Sequence, residues 1–359
     1  MQFQLLPFKI ESQDLVKLYQ ETTKTVEFLA KWRNDLATIP CANELLSVFS
    51  MIEAVESTRI EGTQTTLSDV YEDIAKKKTT IDTNEVLNYN KALQYGIDEI
   101  QKHELLTIRT IKKIHELLLQ GDVRGKNKAP GEFRKIDNWI GANGSTMENA
   151  SHIPPSHIYV AEYMKNLEEY INNDALDNDL HPLMKAAVIH VQFETIHPFL
   201  DGNGRVGRIL IILYLYLKGT IPNSSFFVSK ELERNKFKYY DLLNGCRKNP
   251  PQIVDWVSFF LSCVVKEAEN QKRKMTDVNI LLNKYWDLYA NDSYRHVLFT
   301  IFKNPIFTVR SIEVTTGLSY NTVNKYLKIL EKEKFIYSNG KQHKKMYFCY
   351  DLLNVFNSQ

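Results

Sequence analysis

The chain has 359 residues, 43% of them hydrophobic, enough for two or three globular units. Its 45 Lys and Arg against 43 Asp and Glu leave a formal net charge of +2, which excludes a molecule that grips nucleic acid over its whole surface. Four scattered cysteines (Cys41, Cys246, Cys263, Cys349) form no Cys-x-x-Cys pair, which argues against a zinc site and for a reducing, cytoplasmic setting.

The N-terminus lacks a basic stretch followed by a long apolar one, so no signal peptide is expected. Residues 1–105 read as helical, with Leu15, Leu18 and Tyr19, then Leu45, Leu46, Phe49 and Ile52, at helical spacing. The lysine run after Ala75 reads as a solvated helix end. Residues 107–120 predict a helix capped by Thr107, striped by Ile108, Ile111, Ile114 and Leu118, and stopped by Gly121. His115 lies on or near that stripe and reads as a structural histidine. From Gly121 to Pro155, Gly, Asn, Ser and Pro predict loops and a short β-hairpin. Helices follow at 156–172 and on either side of residues 197–208. Another is expected at 230–243, with Phe237, Tyr240 and Leu243 on one side, and amphipathic helix at 252–290, including a charged connector at 266–274. The longest apolar run, 209–217, is too short to span a bilayer, so no membrane partner is expected. Residues 293–350 read as a separate module. A short helix (294–302) precedes two helices around a turn at 316–319. Two strands, 335–337 and 346–348, follow, with Asn339-Gly340 between them as a hairpin signal. Together these predict a winged helix-turn-helix.

The stretch His197-Pro-Phe-Leu-Asp-Gly-Asn-Gly-Arg-Val-Gly-Arg208 carries the most chemistry. A Gly-rich loop opening a helix is an anion site, because unpaired N–H groups converge on the positive helix end. Gly202, Gly204 and Gly207 let backbone approach phosphate closely, and Asn203 offers a side-chain amide. Arg205 and Arg208, three apart, match phosphate oxygens. Asp201 supplies one hard oxygen ligand, suited to magnesium held partly by phosphate and water. His197 is suited to take a proton from a hydroxyl near neutral pH. One carboxylate against two arginines leaves the positive excess that a triphosphate of about four negative charges requires.

These residues reproduce the His-Pro-Phe-x-Asp-Gly-Asn-Gly-Arg-x-x-Arg motif, and in this the chain resembles Fic-domain proteins. The resemblance implies a mainly α fold: an all-helical core with a short β-hairpin flap, here followed by the small α+β winged module. It implies transfer of AMP from ATP to a Ser, Thr or Tyr hydroxyl of a target protein, and of the chain itself. His197 would be the base, Asp201 the Mg²⁺ ligand, and Gly202, Asn203, Gly204, Arg205, Gly207 and Arg208 the phosphate cradle. Gly131-Glu-Phe-Arg134, Asn138-Trp-Ile-Gly141 and His152-Ile-Pro-Pro155 are similar to the family's flap. That places Asn149, Ala150, Ser151 and His152 near nucleotide and target. Tyr239 and Tyr240 resemble the adenine-side tyrosines, or are core aromatics; Arg247 stands where some members have an asparagine. Ser57-Thr-Arg-Ile-Glu-Gly62 resembles the family's inhibitory motif, so Glu61 and Ser57 are expected to hold Arg208 away from the γ-phosphate. The resulting plan is an N-terminal helical region with the inhibitory helix (1–105), a catalytic core (106–250), a helical connector (251–290) and the winged module (291–359), an attachment common in bacterial members. A homodimer is compatible with the resemblance.

In the winged module, Asn321, Thr322, Lys325, Lys344 and Lys345 could meet DNA, while Glu331 and Glu333 lower the local charge. The alternative is a protein-interaction platform on the same fold. Alternatives for the whole chain are a nucleotide-sensing DNA-binding regulator, a toxin silenced by Glu61, another phosphoryl or nucleotidyl transfer, and removal of AMP.

Overall fold

A computed structural model describes residues 4–141, 144, 146–222, 226, 228–248, 250–289, 291–341, 343 and 345–358. The N-terminal helices are α1 (Ser12–Ala37), α2 (Ala42–Ile60), α3 (Leu67–Lys76) and α4 (Ile81–His103). Thr66 opens α3 in a reciprocal capping box with Asp69, and Lys77 ends it in a left-handed conformation, inside the lysine run that remains exposed. Thr107 caps α5 (Ile108–Leu118) as its sequence predicts, and α6 (Val160–Asn172) follows a short 3-10 turn.

Helices α7 (Pro182–Ile196) and α8 (Asn203–Leu217) are buried on nearly every side and pack against each other at the centre. Both are apolar all round, the pattern of a core hairpin. Helices α4 and α5 cover α8, while α6 and α11 (Ile253–Trp286) cover α7, and α1 lies along α11. Among the described residues, no helix is long and apolar enough to cross a membrane.

The helix expected at 230–243 is two, α9 (Ser229–Arg234) and α10 (Lys236–Cys246). Asn235 breaks it: its side-chain amide donates to the Glu231 carbonyl (2.8 Å), competing with the backbone ladder. The expected apolar side is also corrected. Phe237 is 93% exposed and Tyr240 40%, whereas Tyr239, Leu243 and Cys246 face the core. The flap hairpin is one antiparallel bridge, Ile140 to His152, within a turn-rich segment that includes a 3-10 turn at Met147–Asn149. Helix α11 runs unbroken through the charged stretch 266–274, because Glu267, Asn270, Gln271 and Lys274 are buried and partnered. Lys274 donates to the carbonyls of Val355, Phe356 and Ser358 (3.0, 2.6 and 2.9 Å).

The C-terminal module comprises α12 (Asp292–Lys303), β1 (Ile306–Phe307), α13 (Val309–Thr316), α14 (Tyr320–Lys332), β2 (Tyr337–Ser338), β3 (Tyr347–Phe348) and α15 (Tyr350–Asn357). Its antiparallel sheet has the order β1-β3-β2. Gly317 in the left-handed region closes α13, and Ser319 caps α14. Asn339, between the two expected strands, closes the wing: its N–H donates to the Met346 carbonyl and its side-chain oxygen accepts from Lys341 and Met346. The module rests on the N-terminal helices, with α12 against α2, β1 against α3 and α15 against α11.

Candidate active site

The loop joining α7 to α8 is held from within. His197 ends α7 with a positive φ (48°), a conformation that turns the chain sharply out of the helix. Asn203 folds back on the loop: its Oδ1 accepts from the Phe199 N–H and its Nδ2 donates to the Phe199 carbonyl, both at 2.9 Å. That corrects the expectation of a free amide for phosphate; both polar atoms already brace the backbone. What faces outward is the first turn of α8, whose leading N–H groups lack partners within the helix. His115 supports the loop from α5, stacked on Phe199 at 3.8 Å. Its Nδ1 accepts from the Gly131 N–H (2.9 Å), which leaves Nε2 to donate to the Asp201 carbonyl (3.0 Å). Burial pushes this ring down to about 4, so it is neutral, in line with a structural histidine.

The His197 ring is neutral too. Burial pushes it down to about 3, and the charges of Arg247, His152 and Arg134 add to the effect. Its Nδ1 is buried without a hydrogen-bond partner. Arg134 is the residue that fastens flap to loop, a role its motif did not disclose. It donates Nε to the His197 carbonyl (3.0 Å), Nη1 to the Ile136 carbonyl (3.2 Å) and Nη2 to the Pro155 carbonyl. His152 is buried beside His197, with Nε2 bonded to the Thr195 carbonyl (3.0 Å). Asn149, Ala150 and Ser151 lie at the rim. Asn149 caps its own turn by accepting from the Thr146 N–H, and Ser151 is hydrogen-bonded to the Ile140 carbonyl.

Arg205 and Arg208 are both buried, yet they point to different partners. Arg205 lies 3.6 Å from Asp201, and its Nε is buried without a partner. Arg208 donates Nε to the Ser57 hydroxyl (2.8 Å), and Nη2 to both the Ser57 carbonyl (2.9 Å) and Glu61 Oε1 (2.7 Å). Ser57 lies in the last turn of α2 and Glu61 is its C-cap, so one helix end engages Nε and Nη2 of the guanidinium. Burial raises the Glu61 carboxyl, but Arg208, Arg205 and Lys236 outweigh it and hold it below the usual range. The carboxylate presses on the α8 N-terminus: a Cβ on Gly204 would stand 2.2 Å from Glu61 Oε1. Only glycine leaves that space, which an anion could take. Lys236, which carries no sequence signal, donates to the Ile60 carbonyl and anchors the same helix end (2.5 Å).

Asp201 is the one carboxylate on the loop, 41% exposed and accepting from the Gly202 N–H (2.6 Å). Among the described residues no group of three His, Cys, Asp or Glu could cage a metal. A single hard oxygen beside an anion cradle does fit magnesium, which is held largely by phosphate and water. Gly207 lies farther along α8 against Glu194 and His190, away from the cradle's mouth. Tyr239 is a core aromatic bonded to His190 (2.8 Å), and of the two expected tyrosines only Tyr240 reaches solvent. Arg247 is half-buried, donating to the Glu194 carbonyl (3.0 Å) and Asn244 (2.8 Å).

Residues 105–215 match the Fic/DOC family, and residues 19–98 match the Fic/DOC family N-terminal region; together these take in just over half of the chain. The chain belongs to the Fic/DOC family. It is 29% identical over 221 residues to the protein adenylyltransferase Fic of Drosophila willistoni, covering 59% of this chain and 40% of that protein. With the protein of that name from Drosophila mojavensis it shares 28% over 269 residues, covering 71% and 48%. The chain therefore spans less than half the length of these relatives. Its fold is similar to a crystal structure of a Fic family protein from Desulfovibrio desulfuricans G20, with a TM-score of 0.59 at 20% identity, covering 96% of this chain and 97% of that one.

Among the described residues, those expected to bind DNA are partly turned onto neighbouring groups. Asn321 and Lys325 are exposed on α14, but Lys325 lies over the Tyr289 ring (4.6 Å) and Thr322 is bonded to Ser319. Lys345 stands 3.7 Å from Glu331 and over Tyr347. Lys344 lies outside the described residues.

Proposed function

We propose that this Fic-family chain is an ATP-dependent protein adenylyltransferase held inactive by Glu61. The observation that carries the proposal is the Arg208 guanidinium at the open end of the anion cradle, occupied by a carboxylate of its own chain. A γ-phosphate would compete for the same donors, so nucleotide in the reactive pose and Glu61 in place exclude one another. With Glu61 displaced, Arg208 and Arg205 would take the β- and γ-phosphates, and the N–H groups of the first α8 turn would take their oxygens. His197 would accept the proton of a target Ser, Thr or Tyr hydroxyl as its oxygen attacks the α-phosphorus. The bond to pyrophosphate breaks, leaving AMP esterified to the target. The neutral ring is ready to accept a proton. Negative phosphates beside it offset the arginine charges and raise its basicity at the moment of use. Asp201 would hold magnesium, which when bound supplies positive charge to the phosphates and the leaving group.

Curated relatives named adenylyltransferases support AMP transfer over the alternatives. The partners are then ATP and a hydroxyl-bearing protein substrate. The C-terminal module is better suited to binding protein than DNA, because Lys325 and Lys345 are turned onto neighbouring rings. The deciding experiment is intact-mass analysis of Glu61→Gly after incubation with ATP and magnesium. A gain of about 329 Da reports AMP, about 80 Da reports phosphate, and no gain ends the proposal.

A further inference from the structure

The residue that joins the inhibitory segment to the Asp201 pocket is Arg124, in the loop between α5 and the flap. It is fixed at both ends by Glu85 of α4, whose Oε1 accepts from the Arg124 backbone N–H (3.1 Å) and Nε (2.8 Å), and whose Oε2 accepts from Nη2 (2.5 Å). Glu85 is buried, and Asp82 one turn earlier lies 3.2 Å from the same guanidinium. From this anchor Arg124 reaches the chain leaving α2. Nη2 donates to the Thr63 hydroxyl (2.7 Å) and Nη1 to the Gly62 carbonyl (3.4 Å). Thr63 is itself buried and donates to Glu85 (2.7 Å). Gly62 and Thr63 directly follow Glu61, so this cluster sets where the inhibitory carboxylate stands.

The next residue forms a wall of the pocket. Gly125 has a positive φ (77°), and a Cβ there would sit 2.5 Å from Asp201 Oδ2. The same loop returns at Gly131, which holds His115, which in turn holds the Asp201 carbonyl. The 119–131 loop thus touches Asp201 at its side chain directly and at its backbone through one histidine. We propose that Arg124 is a positioning residue for the Asp201 carboxylate and, through Gly62 and Thr63, for the inhibitory carboxylate of Glu61. The inference rests on the adenylyltransferase reading for its catalytic arm, and on geometry alone for its structural arm.

Two arms test it on the full chain. In the Glu61→Gly background, Arg124→Ala should raise the Mg²⁺ concentration giving half-maximal self-modification at least fivefold, with the rate at saturating Mg²⁺ within twofold of the parent, and Gly125→Ala, whose Cβ would meet Asp201 Oδ2, should raise the same half-saturation. Arg124→Lys, which keeps charge but not the fork, should fall between. In the chain that retains Glu61, Arg124→Ala should raise self-modification severalfold. Without nucleotide or metal, hydrogen exchange in Arg124→Ala should quicken in residues 58–64 and 197–204 together. Faster exchange confined to 119–131, or an unchanged Mg²⁺ half-saturation in Arg124→Ala, overturns the proposal. Should Arg124→Ala fail to fold, Arg124→Lys and Gly125→Ala decide by the same measurements. If Glu61→Gly modifies nothing, the functional reading fails, while the exchange experiment still judges Arg124.

Discussion

Glu61→Gly should make the protein less stable and more responsive to ATP at once. The side chain removed is partly exposed and makes a 2.7 Å bond to an arginine that is 1% exposed. Stripping the partner from a buried charge costs about 3–5 kcal/mol. Solvent access at Glu61 and the two remaining bonds from Ser57 reduce that to about 1–3 kcal/mol. At about 1.3 °C per kcal/mol for a chain of 359 residues, the apo variant should melt roughly 3 °C below its parent. Magnesium-ATP then offers Arg208 a new anion. At a hundred times its dissociation constant, a ligand adds about 2.7 kcal/mol, enough to restore the lost degrees. In the parent chain the nucleotide must first expel Glu61, so the same concentration should move the melt far less. Differential scanning fluorimetry of both proteins across an ATP titration measures this. Equal ATP shifts in the two, or an apo variant as stable as its parent, would refute the clamp.

Other expectations follow from the same contacts. His197→Ala in the Glu61→Gly background should abolish the mass gain while keeping the ATP-induced melting shift, because on the proposed reading the ring takes a proton rather than grips phosphate. Asn203→Ala removes both bonds to the Phe199 backbone and should cost about 1–3 kcal/mol in denaturant unfolding through the buried groups left unmet, with activity falling as the loop loosens. Lys274→Met should speed hydrogen exchange in α15, since three carbonyls at its end lose their donor. Acid should unfold the protein sharply only below about pH 4.5. His115, His152, His190 and His197 are pushed down to about 4, 3, 3 and 3, so the unfolded chain binds their protons first and stability declines from about pH 6.5 downward. Burial raises Glu53, Glu194 and Glu267 to about 8, 7 and 7, and these gain protons in the folded state, which offsets most of that decline down to about pH 4.5. Below that the histidines act unopposed, and a melt that instead fell steadily from pH 6.5 would contradict the assignment.

Much of the site was legible because its chemistry is local. The residues from His197 to Arg208 lie on one loop and the first turns of α8, and short-range spacing already placed Gly202 and Gly204, though not Gly207, at the helix mouth. Glu61 and Ser57 could be paired with Arg208 only through the family's inhibitory motif, since nothing in periodicity joins positions so far apart. Asn203 was misread for a physical reason. An amide in a polar loop serves equally as ligand donor or backbone brace, and only the fold tells which carbonyl lies within reach. Arg124 and Lys236 left no trace in the sequence, because a surface-type residue becomes a tether only when distant backbone arrives. The short strand β1 and helix α15 were missed because two residues carry no period and eight carry little. The stripe on α10 failed because Phe237, Tyr240 and Leu243 at i, i+3, i+6 drift round the helix, whereas Tyr239, Leu243 and Cys246 at i, i+4, i+7 share the buried face.

The seat of the C-terminal module gives the protein a mechanical property. Helix α12 leans on α2 and β1 on α3, while Glu61 caps the C-terminal end of α2 against the anion cradle. One helix, about 28 Å long at the α-helical rise of 1.5 Å per residue, therefore both touches the C-terminal module and carries Glu61 at its end. On the proposed reading, a partner that pulled this module away from α2 would reach the inhibitory carboxylate without entering the cradle.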